Sequence, residues 1–168
     1  MDINKLREQL KIDEGVEYRV YNDHLGYKTL GIGHLVVPGD LEYDAPVGTY
    51  VSEDRVNEIF DKDVITYIDE AKKVFGNLEG MPEEAQQVIV NMCFNMGAPR
   101  LAKFKNFIRA IHDEDWATAS VEMLDSKWAT QVGPRANRLA DRIKAINWNT
   151  KHWKHNNLFA DYYIKYFK

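Results

Sequence analysis

The chain has 168 residues, 45% of them hydrophobic and 12% aromatic, with a formal net charge of −4. That length and composition allow one sizeable core, or a small lobe joined to a larger one, and exclude a disordered chain. One cysteine, Cys93, excludes an intrachain disulfide, no apolar run approaches bilayer length, and no dense basic run or motif points to nucleic acid.

Met1–Glu8 lacks a basic start followed by an apolar run, so no secretory signal is expected. Asp2 can cap a first helix whose apolar positions Ile3, Leu6 and Leu10 recur at helical spacing, with Gly15 as its stop. Tyr18–Tyr21 then predicts a strand, Asn22–Gly26 a turn, and Tyr27–Ile32 the returning strand. From Leu35 to Tyr50 the chain reads as loop, broken by Pro38, Gly39, Pro46 and Gly48. Ser52 opens the longest helical pattern, Val56 through Phe75, which Gly76 ends; roughly 23 residues would span about 35 Å and bridge two lobes. Pro82 starts a helix burying Ala85, Val88, Ile89, Met92, Cys93 and Met96, with Gly97 after it. Further helices are expected at 100–112, 114–124, 135–147 and 156–167. The fold class is therefore α+β, mainly α. A small α+β lobe covers 12–60, a long connecting helix follows, and residues 1–11 and 76–148 form an all-helical lobe, with a cleft between the lobes.

Two carboxylates stand out. Glu14 sits at the predicted helix end beside Gly15, where an apolar wall would keep it protonated and ready to donate. Asp23 and Thr29 flank the hairpin turn, at a spacing that can hold one water between a carboxylate and a hydroxyl. A proton donor on one side and an activated water on the other suit cleavage of a glycosidic bond. On residue types alone, such a pair is more often a set of solvated surface groups. The run Thr29–His34 lacks the third glycine and following helix of a phosphate loop, so dinucleotide binding is not expected.

The blocks Asp13-Glu14-Gly15, Tyr21-x-Asp23, Gly26-Tyr27-x-Thr29-x-Gly31-Ile32-Gly33-His34, Asn91-Met92-x-Phe94-Asn95-Met96-Gly97 and Arg135-Ala136-x-Arg138 together resemble the T-even phage lysozyme family, glycoside hydrolase family 24. The resemblance runs in order over about residues 3–148. It implies a lysozyme-like fold and a muramidase cutting the β-1,4 bond between N-acetylmuramic acid and N-acetylglucosamine with inversion. Glu14 takes the place of the general acid, Asp23 that of the carboxylate that helps activate water, and Thr29 that of the water-holding hydroxyl. Leu35, Phe94 and Asn95 match substrate-contacting positions, although Phe94 equally suits a helix end packing on a loop. His34 and Asp63 match a supporting ion pair, which makes His34 structural rather than catalytic. Arg135 matches a supporting position near the acid, where its cation would oppose the effect of burial. No cofactor or metal is implied.

This chain departs from the pattern in three ways. The 35–51 segment is shorter than usual, so a small helix of that lobe is expected to be missing. The net charge is acidic, −10 over residues 1–97 against +6 over 98–168, which suggests either two solvated surfaces or orientation on an anionic wall. Residues 149–168 extend past Trp148 with Trp153, Phe159, Tyr162, Tyr163, Tyr166 and Phe167; an extra packed helix is the first reading, a grip on membrane or wall the second.

The partner implied is bacterial peptidoglycan, reached by a monomer from the host cytoplasm through a holin-type membrane lesion rather than by stable membrane insertion. Rival readings are a cysteine peptidase using Cys93, a zinc amidase drawing on His24, His34, His112, His152 or His155, and a catalytically impaired wall-binding protein of the same fold.

Overall fold

The structure is a computed structural model describing residues 1–146. Trp148, His152, His155, the 149–168 extension and the helix expected at 156–167 lie outside the described residues. The chain is α+β and mainly helical, with one small antiparallel sheet near the N-terminus. It divides into two compact units, and the boundary between Thr66 and Tyr67 falls inside the long helix.

The first unit opens with α1, Ile3–Glu14, whose Asp2 side chain accepts the Lys5 amide at 3.1 Å and so satisfies an orphan N–H of the first turn. Leu6 and Leu10 carry its apolar stripe into the core. Strands β1 (Glu17–Asn22), β2 (Lys28–Gly31) and β3 (His34–Leu35) form a sheet in that order, antiparallel throughout. The register pairs Tyr21 with Thr29, and Thr29 with Leu35. β3 departs from the expected loop. Gly31 turns the chain at φ 60°, and a Cβ there would meet Val56 at 3.1 Å, so only glycine lets His34 and Leu35 fold back onto β2 this close to the long helix.

The segment 36–51 is irregular, as expected, but firmly tied. Val20 N donates to Thr49 O at 2.9 Å and Val51 N to Tyr18 O at 2.9 Å, so this stretch covers the free edge of β1. Lys28 Nζ donates to the carbonyls of Tyr43 (2.7 Å) and Ala45 (2.8 Å), and Arg55 forks onto both oxygens of Glu42 at 2.9 Å. Helix α2, Glu53–Phe75, begins after Ser52, whose hydroxyl accepts the Arg55 amide. Val56, Ile59, Phe60 and Val64 are its buried positions in this unit.

The second unit is helical among its described residues. Its centre is α3, Glu83–Met96, buried on nearly every side from Ala85 to Phe94. Two helices around it depart from expectation. The stretch read as one helix over 100–112 is α4 (Ala98–Leu101) and α5 (Lys105–His112), separated by turns closed from Lys103 N to Arg100 O and Phe104 N to Leu101 O. After α6 (Trp116–Leu124) comes an additional short α7 (Lys127–Val132), capped by Ser126, and α8 runs from Pro134 to Lys144.

Candidate active site

Glu14 is the last residue of α1, and Gly15 follows at φ 77°, a conformation that ends the helix and turns the chain into β1. Glu14 is half-buried and lines a cavity of about 320 Å³ together with Gly15, Val16, Glu17, Tyr21 and Gly31. The acid candidate therefore opens onto space bordered by both long strands.

Asp23 is held by the hairpin turn. Its Oδ1 accepts from the amides of Leu25 (2.9 Å) and Tyr27 (2.8 Å), and its own amide donates to Tyr27 O at 2.9 Å. Oδ2 makes no hydrogen bond among the described residues. Thr29 is buried, and its hydroxyl donates to Tyr27 O at 3.0 Å. With that proton committed, the Thr29 oxygen is left as an acceptor. Asp23 and Thr29 are thus locked to the same residue, Tyr27, which fixes the two side chains relative to each other. Leu35 lies across the ladder from Thr29 and is about half exposed.

Tyr21 stands in the block Tyr21-x-Asp23 but takes no site role from the sequence alone; it borders the cavity beside Glu14 and pairs with Thr29. Burial first, then the charges of Asp23, Glu17 and Glu14, hold its phenol above the ordinary tyrosine range. Glu17 is the second unanticipated lining residue; the register of β1 against β2 shifts between Glu17 and Tyr21, an irregularity that the residue pattern alone does not signal.

His34 bridges two carboxylates. Its Nδ1 lies 2.8 Å from Asp63 Oδ2, and its Nε2 lies 3.1 Å from Asp40 Oδ2, which also accepts the Val37 amide at 2.7 Å. Burial pushes the imidazolium toward deprotonation, but the bonds and charges of Asp63 and Asp40 outweigh it and raise the histidine above its usual value. For Asp40 burial likewise raises, and the Val37 amide, His34 and Arg55 together bring it below the ordinary carboxylate range. Asp40 sits in the segment read as loop, so sequence had no register by which to find it.

The remaining candidates lie in the second unit. Arg135 is buried and donates through Nε (3.0 Å) and Nη2 (2.8 Å) to Asn91 Oδ1, with a further bond from Nη2 to Asn91 O. Asn95 Oδ1 accepts the Trp128 indole N–H at 2.9 Å, and Phe94 packs on Tyr67 with ring centroids 4.6 Å apart. Trp128 also borders a cavity of about 470 Å³ with Phe104, Asn106, Glu122 and Lys127. Cys93 is fully buried, and burial with the Glu70 charge pushes its thiol up to about 12. Such a thiol stays protonated and does not serve as a nucleophile at neutral pH.

Residues 11–145 match the family model described as phage lysozyme. Among similar proteins, probable T4-type lysozyme 2 of Dictyostelium discoideum is 28% identical over 156 residues, covering 82% of this chain and 92% of that protein. Probable T4-type lysozyme 1 of the same organism is 31% identical over 164 residues, covering 84% and 95%. The pre-baseplate central spike protein of Enterobacteria phage T4 is 30% identical over 152 residues, 80% of this chain and 26% of that protein. The matched span takes in the end of α1, the sheet and the described helices after it, and the chain belongs to the phage lysozyme family.

Proposed function

We propose that this protein is a peptidoglycan muramidase that hydrolyses the β-1,4 bond between N-acetylmuramic acid and N-acetylglucosamine. Family membership supports a muramidase-like, glycoside hydrolase function. The observation that carries the finer reading is the hairpin: Asp23 and Thr29 are both locked to Tyr27, each with an oxygen left to hold a water, while Glu14 lines a cavity bordered by the same sheet.

In this mechanism Glu14 gives its proton to the glycosidic oxygen as the bond to the anomeric carbon breaks. A water held between Asp23 Oδ2 and the Thr29 hydroxyl attacks that carbon and passes a proton to Asp23. Asp23 is anchored through Oδ1 to two amides, which suits orienting a water better than swinging onto carbon as a nucleophile. Attack by a water from the face opposite the leaving group gives inversion. Leu35, Phe94 and Asn95 contact the glycan; His34, Asp63 and Arg135 support the fold around the site. The protein acts as a monomer on the cell wall in host lysis, with antibacterial effect. It is held in the host cytoplasm until a holin-type lesion opens the membrane; no described helix is long and apolar enough to cross one.

The test is reducing-sugar release from purified peptidoglycan by wild type and Glu14→Gln. Loss of at least a hundredfold in a mutant of unchanged melting temperature is expected, the scale of removing a general acid. Equal rates in both would overturn the assignment. Binding to the wall without hydrolysis by either would leave an impaired wall-binding protein in its place.

A further inference from the structure

The mechanism above leaves Tyr21 without a role, and its setting calls for one. β1 and β2 pair Tyr21 with Thr29, which puts the two side chains on one face of the sheet. The same tyrosine borders the cavity onto which Glu14 opens, so it stands between the acid side and the water side of the site. Its hydroxyl makes no hydrogen bond among the described residues, so the phenol is not committed to holding the fold together. Around it are the carboxylates of Asp23, Glu17 and Glu14. A phenol in such company keeps its proton and has an O–H to donate.

We infer that Tyr21 is a positioning residue of the proposed reaction, whose phenol O–H hydrogen-bonds the Glu14 carboxylate as that group becomes charged. The proton leaving Glu14 goes to the glycosidic oxygen; Tyr21 keeps its own. Charge on Glu14 grows along the reaction coordinate, so a donor aimed at it stabilises the transition state more than the ground state. The inference rests on Glu14 being the acid.

The raised phenol fits this placement, because each of the three carboxylates disfavours a tyrosinate and keeps the donor intact into alkaline solution. Tyr21→Phe removes the hydroxyl and retains the ring, so melting should stay at the wild-type temperature. We expect kcat on purified peptidoglycan to fall about tenfold, the worth of one hydrogen bond to a charged group, with KM within about twofold. A loss confined to KM or to melting temperature, or a phenylalanine variant with wild-type kcat, would overturn the inference. Glu14→Gln measured alongside separates the two claims. An inactive Glu14→Gln with an unaffected Tyr21→Phe removes the role of Tyr21 alone, whereas an active Glu14→Gln removes the acid assignment and this inference with it.

Discussion

The two units are held together by different physics. In the first, the sheet has strands of six, four and two residues, and the connection from Val36 to Val51 has no regular structure of its own beyond isolated bridges. Polar clamps supply what short strands lack: Lys28 on two carbonyls, Arg55 on Glu42, His34 between Asp40 and Asp63, and Arg7 on Asp61 while it stacks over Phe60. In the second unit, α3 is surrounded by apolar side chains, and its buried polar groups, Gln87 and Asn91, are met by Arg142 and Arg135. Polar clamps are directional and titratable, while apolar packing is neither. The unit that carries Glu14, Asp23 and Thr29 therefore holds its geometry largely through bonds that respond to pH, whereas the helical unit rests mainly on apolar packing.

Truncating the core of the helical unit should give the largest effect. Ile89→Ala, at a fully buried position of α3, is expected to cost about 2–5 kcal/mol by the lost methyl groups and the cavity left behind. Denaturant melts at pH 5, 7 and 9 should show the same loss at each; a strong pH dependence would break the contrast.

The next effect belongs to the His34 clamp and must depend on pH. The raised His34 contributes stability fully present below its unfolded value near 6.5 and lost as pH rises through its folded value. The lowered Asp40 contributes stability present above its unfolded value near 3.8 and lost as pH falls through its folded value. The clamp is thus strongest between about pH 4.5 and 6.5, where the imidazolium faces ionised carboxylates. Asp63→Asn should cost about 2 kcal/mol there, as for a partly buried charged hydrogen bond, and clearly less at pH 9. A pH-independent loss would mean that packing, not charge, holds this part of the sheet.

A smaller effect of opposite sign sharpens the other half of the comparison. Glu114 sits at φ 55° in the turn between α5 and α6, and its Oε1 is buried with no hydrogen-bond partner among the described residues. Glu114→Gly removes both the left-handed strain and the unmet carboxylate oxygen, and should stabilise by about 1 kcal/mol in thermal melts. A loss of stability would show that this buried carboxylate contributes to the helical unit after all.

How far the sequence could be read differs between the units for the same reason. The stops at Gly15, Gly76 and Gly97 and the caps at Asp2 and Ser52 mark real boundaries, because a cap or a helix end is decided within four residues. Ser126 and Gly133 mark α7 just as locally, and were legible though unused. The division of 98–112 into α4 and α5 has no such punctuation; the break follows from turn hydrogen bonds at Lys103 and Phe104. In the first unit the hairpin was visible from strand propensity around Asn22–Gly26, but β3, the edge pairing of Thr49 and Val51 with β1, and the clamp of Asp40 on His34 were not.

By itself, the sequence determined the helix limits, the apolar stripes, the hairpin, and the family pattern that places Glu14, Asp23 and Thr29 on neighbouring elements. All of these depend on spacing along the chain. Only the tertiary structure decided that Asp23 and Thr29 share Tyr27 as an anchor, that Tyr21 and Glu17 join Glu14 around one cavity, and that His34 is held from both sides. Those arrangements depend on the register of the strands and on where an irregular segment returns to the sheet. A shift of one residue in register would turn Tyr21 and Thr29 to opposite faces while leaving every local propensity unchanged.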